Sequence, residues 1–273
     1  MKKTVLLLTS MALAAFAYVD TDLDGVEDTL DCCPQTPMTE FVDADGCPVG
    51  PAAGPHRFDL IAGITFNEGS RLNIVREGED TTVLSLQADY YYKQFSVQLA
   101  TSVYDAQSSS GLNDTLLTGY YSFQPSEKLL ARVGLGVILP TYDTGLDNEA
   151  ADYQASAALS YTPGERFTLF GGVSYTLVND KDVKGAGDLG DVTYQDTPAF
   201  TAGAGYSITP KLYASLSYFR GESIYRDVEA IENLSLYGVY TLSETLFTTF
   251  NYAAGLSDSA SDNVFALRIG RYF

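Results

Sequence analysis

From Arg57 to the C-terminal Phe273 the chain alternates with a period of two, and turn residues interrupt the pattern every 9 to 12 positions. Val133, Leu135, Val137 and Leu139 stand between Arg132, Gly134 and Gly136; Tyr153, Ala155, Ala157, Leu159 and Tyr161 stand between Gln154, Ser156, Ala158 and Ser160. Phe200, Ala202, Ala204 and Tyr206 alternate in the same way with Thr201, Gly203, Gly205 and Ser207. Successive side chains of an extended strand point to opposite faces. Each segment therefore has one apolar face and one face of small or polar residues. The pattern predicts twelve strands, near 57–66, 82–92, 94–104, 114–123, 128–139, 151–162, 167–178, 197–208, 211–220, 231–242, 245–256 and 263–273. Their connections alternate strictly between short turns, such as Lys93-Gln94 and Thr209-Pro210, and long loops, such as 140–150 and 179–196.

A water-soluble β-protein would put Lys, Glu and Arg on its polar faces. Here those faces carry mainly Ser, Thr, Gly and Gln, and only 19% of residues are charged, against about 25% in soluble domains. Past the N-terminus no apolar run approaches the roughly 20 residues of a membrane helix. A mean hydropathy of -0.02 with 45% hydrophobic residues fits a chain whose alternate residues face lipid and water. The predicted fold is all-β, a 12-stranded antiparallel transmembrane β-barrel, porin-like, with periplasmic turns and longer extracellular loops. An even strand number places both termini on the turn side, in the periplasm. Tyr90, Tyr92, Tyr121, Tyr161, Tyr175, Tyr218 and Tyr240 fall near strand ends, where aromatic girdles form. Phe265, Leu267, Ile269 and Phe273 share one face of the last strand. This resembles the C-terminal signature of bacterial outer-membrane barrels, whose terminal aromatic residue is read by the barrel-assembly machinery. Arg271 departs from the signature, and an arginine there can snorkel toward headgroups.

Ahead of the strands, residues 1–17 read as a signal peptide: Lys2 and Lys3, an apolar stretch from Val5 to Ala14, then Ala15-Phe16-Ala17 as cleavage site. Residues 18–50 hold nine acidic and no basic side chains. Counted from Asp20, carboxylates of Asp20, Asp22, Asp24, Asp28 and Asp31 fall at positions 1, 3, 5, 9 and 12, with Gly25 at 6 and the Val26 carbonyl at 7. That is the ligand order of a calcium loop, with a shorter Asp in place of the bidentate Glu at position 12. The stretch through Cys32, Cys33 and Gly46-Cys47-Pro48 resembles the thrombospondin type 3 repeat found beside OmpA-type outer-membrane proteins. The resemblance covers about 30 residues. It implies bound calcium, Asp43 and Asp45 as further ligands, and a Cys33–Cys47 disulfide. Cys32 departs from the repeat, either as a spare thiol or as a competitor for Cys47. Leu30-Asp31 before Cys32 does not form a lipobox. The expected order is thus signal peptide 1–17, calcium-binding repeat 18–50, linker 51–56 and outer-membrane barrel 57–273.

The net charge of -19 argues against nucleic acid, which needs clustered Lys and Arg. A single histidine, His56, lies before the first strand, and no serine has a base beside it, so no catalytic role is expected. On the inward faces the alternation leaves four charges, Asp59, Asp89, Arg132 and Arg268. They are expected either as a structural ion pair between Asp59 and Arg268 across the closing seam or as a charged constriction near the periplasmic mouth. Small inward residues (Ser96, Ser156, Ser160, Gly134, Gly136, Gly203, Gly205) are expected to leave room for water. Loop acids such as Asp143, Asp147, Asp180, Asp182, Asp188, Asp191, Asp227, Asp258 and Asp262 suggest a cation-enriching rim, or divalent ions shared with lipopolysaccharide. The expected function is a narrow pore for small cationic or neutral solutes in outer-membrane lipid. The second expectation is a structural barrel with an obstructed lumen, whose repeat contacts periplasmic or cell-wall partners. A third is uptake of hydrophobic molecules past inward Tyr120, Phe170, Phe219 and Tyr237.

Overall fold

A computed structural model describes residues 56–70, 79–107, 109–126, 128–142, 149–164, 166–185 and 191–273. The chain divides into two units, Met1–Gly50 and Pro51–Phe273, and all described residues belong to the second. The expected signal peptide, the expected calcium ligands between Asp20 and Asp45 and the three cysteines lie outside them.

Among the described residues, thirteen strands form one antiparallel sheet. They are β1 (His56–Ser70), β2 (Glu79–Tyr92), β3 (Phe95–Ala106), β4 (Ser110–Leu112), β5 (Thr115–Ser126), β6 (Leu129–Leu139) and β7 (Asp152–Tyr161). The rest are β8 (Phe167–Leu177), β9 (Thr197–Thr209), β10 (Leu212–Gly221), β11 (Ile231–Ser243), β12 (Leu246–Gly255) and β13 (Asn263–Tyr272). Each long strand pairs with its neighbours in sequence, and β1 pairs with β13 from Asp59 opposite Tyr272 to Glu68 opposite Asn263. Phe58 and Phe273 exchange backbone hydrogen bonds of 3.1 and 2.8 Å at the seam. The sheet thus closes on itself and leaves no long free edge.

The short β4 explains the thirteenth strand. Both β4 and β5 pair with β3, but Val103 faces Leu112 while Ala100 faces Leu116. Three steps on β3 therefore face four on its partner, a β-bulge around Asn113-Asp114. The Asn113 side chain donates to Ser102 Oγ (2.8 Å), and Asp114 accepts the Tyr142 N–H (3.0 Å). Local side-chain bonds replace ladder bonds here, so β4 stands ahead of the expected strand 114–123, which β5 supplies. The barrel has twelve staves, as the alternation predicts, with β4 an extension of one of them.

The faces are inverted relative to a soluble protein. Outward residues are large and apolar, Leu135 being 74% and Val173 61% exposed. Aromatic pairs mark both rims: Phe58–Tyr90 and Phe95–Tyr121 on the turn side, Phe200–Tyr218 and Tyr252–Phe265 on the loop side. Phe265, Leu267, Ile269 and Phe273 all point outward, and the Arg271 guanidinium sits 5.0 Å from the Phe273 ring centroid. Polar residues line the inside, where Thr118 is the most completely buried.

Candidate functional site

A belt of polar side chains lies inside the turn-side half of the barrel, on β13, β1, β2, β3, β5 and β6. Strand alternation turns Arg57 and Asp59 to the same face, and the register sets Asp59 directly opposite Asp89. Both carboxylates are sunk into the wall, 4% and 3% exposed. Arg57 Nε lies 3.3 Å from Asp59 Oδ1, and its guanidinium packs 4.1 Å from the Tyr91 ring centroid. Asp89 accepts hydrogen bonds from the amides of Gln87 (2.6 Å) and Gln98 (2.8 Å). A carboxylate only accepts, so Asp89 orients both amides and turns Gln87 Oε1 away from itself. That oxygen receives Arg268 Nη2 at 2.6 Å. Arg132 Nη2 donates to Ser96 Oγ at 3.1 Å, and its guanidinium lies 3.7 Å from the Tyr120 centroid.

Alternation places Asp59, Asp89, Arg132 and Arg268 on the inward face, but not as an Asp59–Arg268 pair. In the closing register Arg268 stands opposite Gly63, four positions from Asp59. The cation beside Asp59 is Arg57, two residues away on the same strand. The parity that selects Asp59 also selects Arg57, so this partner was available in the sequence. Gln87 and Gln98 carry no charge, and only the register reveals their part.

The inward glycines do not leave open space. A Cβ at Gly203 would stand 2.5 Å from Phe170 Cζ and 2.6 Å from the Leu216 carbonyl; one at Gly134 would stand 2.6 Å from Tyr120 Cδ1. Tyr213 lies over Gly205 and Phe247 over Gly270 in the same way. The missing side chains let aromatic rings lie flat on the wall.

At the loop rim, aspartates hold backbone N–H groups. Asp152 accepts from Asn179 (2.7 Å), Asp180 from Ala150 (3.3 Å), Asp182 from Tyr194 (3.1 Å) and Asp191 from Gly185 (3.0 Å). Asp196 accepts from Val178 N (3.0 Å) and the Tyr175 hydroxyl (2.7 Å). The hydroxyl first, then the amide, hold the Asp196 carboxyl below its usual range. Tyr142 packs edge-on against Tyr104, and Tyr194 packs at a tilt against Tyr225. Burial, then the neighbouring Tyr104 phenol, push Tyr142 up to about 12, with Tyr225 and Asp114 adding to the rise. Tyr142 follows β6 and Tyr225 lies between β10 and β11, so the loops converge over the mouth. Outside this rim, Arg220 binds Glu232 and Glu222 on the outer surface. His56 is exposed, its Nδ1 2.5 Å from the Tyr90 hydroxyl, with its ring stacked on Tyr92.

A closed antiparallel barrel, apolar outside and polar within, is the architecture of outer-membrane channels. Residues 71–269 match the family described as "Putative MetA-pathway of phenol degradation", and the chain belongs to that family. Among solved structures it is similar to an outer membrane channel from Pseudomonas putida F1, with a TM-score of 0.61 at 11% identity, covering 80% of this chain and 95% of that one. It is also similar to the NanC porin, with a TM-score of 0.54 at 12% identity, covering 79% and 98%. The translocator domain of the autotransporter NalP from Neisseria meningitidis follows, with a TM-score of 0.50 at 13% identity, covering 82% and 90%. At these identities the likeness is one of fold. No curated protein matches the chain by sequence.

Proposed function

We propose that the chain is an outer-membrane barrel that passes small solutes passively through a narrow, water-filled lumen. The observation that carries this reading is the inversion of faces, with Leu135, Val173 and Leu267 exposed and the Asp59–Asp89–Arg132–Arg268 belt inside. Twelve staves fall between eight-stranded barrels filled by side chains and open porins of sixteen or more. The fold shared with the channel from Pseudomonas putida F1 and with the NanC porin supports the same reading. Passage needs no chemistry, and His56 on the outer wall is badly placed to supply any. Residues 18–50 add a periplasmic calcium-binding repeat, held by Asp20, Asp22, Asp24, Val26, Asp28, Asp31, Asp43 and Asp45 and closed by Cys33–Cys47. The outward Phe273 is the residue offered to the assembly machinery, and outer-membrane lipid and lipopolysaccharide surround the barrel.

The second reading, a barrel with an obstructed lumen, has one observation in its favour: the convergence of Tyr142 and Tyr225 over the mouth. Planar-bilayer recording of the refolded chain separates the two. Stable unitary steps are expected, larger in a Tyr142→Ala, Tyr225→Ala variant. A folded wild-type barrel that never conducts, with or without those tyrosines, defeats the pore reading.

A further inference from the structure

The acidity of the chain and its loops points toward cations, yet the lumen belt presents the opposite charge. Its two carboxylates are turned into the wall. Asp59 has its own cation in Arg57, and Asp89 is covered by the amides of Gln87 and Gln98. The remaining two guanidiniums have neutral partners only, Gln87 for Arg268 and Ser96 for Arg132. Neither makes an ion pair among the described residues. The Nε of each is buried and meets no hydrogen-bond acceptor there. Thus both arginines line the lumen with no carboxylate beside them to balance their charge.

Their positions are graded along the lumen. Arg132 touches Ser96, whereas Arg268 touches Gln87, which lies opposite Ala100. Ser96 and Ala100 are four residues apart on β3, about 13 Å along the strand at 3.3 Å per residue. The guanidiniums therefore form two successive rungs on one side of the wall, with the masked Asp89 between them. Arg132 presents its fork beside Tyr120, and Arg268 presents its own beside Gln87. A guanidinium fork fits a carboxylate.

We infer that Arg132 and Arg268 form a two-rung carboxylate track, which makes small organic carboxylates the solutes this lumen favours. The inference rests on the pore reading above and names its solute class. Asp89 acts as a positioning residue, because its acceptor-only carboxylate fixes the Gln87 amide that holds Arg268. The rim acids keep their negative charge when they accept loop N–H groups, so the selection is set at the Arg132 and Arg268 rungs inside the lumen and not at the mouth.

The test is the reversal potential of the refolded full chain across a potassium chloride gradient, followed by titration with sodium benzoate as the carboxylate probe. Wild type is expected to prefer chloride by a ratio on the order of ten. The preference should persist at 1 M salt, where the Debye length falls to about 3 Å and surface charge is screened. Benzoate should reduce the chloride current reversibly. Arg132→Gln with Arg268→Gln should bring the ratio toward one and abolish the benzoate block, while Arg132→Lys with Arg268→Lys should keep the chloride preference. A conducting wild type that prefers potassium, or a benzoate block that survives the double Gln change, overturns the track and leaves the pore standing. A folded but silent wild type removes both.

Discussion

Gly203 illustrates how a single hydrogen atom in place of a side chain shapes this lumen. Phe170 Cζ and the Leu216 carbonyl both lie where its Cβ would be. The ring could rotate away, but the carbonyl is part of the β9–β10 ladder and cannot. Gly203→Val is therefore expected to destabilise the barrel by about 1–3 kcal/mol, the usual cost of overpacking. The check is a lower urea midpoint for the refolded protein. A midpoint equal to wild type would show that the wall yields there. Alternation put Gly203 and Gly134 on the inward face but said nothing of the rings that cover them, because an aromatic side chain reaches across to a neighbouring strand. Arg268 was similarly legible in its direction and illegible in its partner: its side chain passes over Gly63 to reach Gln87.

Among the elements, strands and turns were read closely from sequence, since the period-two pattern and the turn residues specify the same boundaries. The β2–β3 turn at Lys93 shows the limit of that reading. Lys93 has a φ of 54°, a left-handed conformation that glycine or asparagine adopts more readily. The loops were harder. Their aspartates read as a cation-enriching rim, whereas Asp180, Asp182 and Asp191, like Asp152 and Asp196 nearby, each accept a backbone N–H. Such a bond depends on loop geometry that hydropathy does not encode. Asp196 gives this element a pH dependence. Its carboxyl is held below the usual value, so its contribution is present above the unfolded value near 3.9. That contribution is lost as pH falls through the lowered folded value. Hydrogen exchange at Val178 N–H should remain slow through neutral and mildly acidic pH, then accelerate below that range. Equal protection in wild type and Asp196→Ala at neutral pH would refute the capping role.

The whole molecule joins a barrel to an acidic head that follows different rules. Calcium titration of the full refolded chain under oxidising conditions is expected to show saturable uptake at about 10⁻⁴–10⁻³ M, the range of extracellular modules. Asp22→Asn with Asp24→Asn should remove it while the barrel still forms. Absence of any calcium-dependent heat in wild type would dismiss the head as a metal site. The barrel itself was legible at this scale, because twelve segments with an apolar face each have few ways to hide those faces. The closing register was not, and with it went the expected Asp59–Arg268 pair.

The inverted faces also bear on how such a chain reaches its final state. In water, hydrophobic collapse gathers apolar residues at the centre, yet here the centre holds Thr118, Asp89 and Gln98 while Leu135 and Val173 belong on the perimeter. Collapse in an aqueous compartment would therefore turn the sheet inside out. The first and last strands, which must meet to complete it, are 56–70 and 263–272, so closure waits for almost the whole chain. The exposed apolar perimeter is matched by a bilayer and not by water. The solvent around the sheet is therefore what selects its native topology.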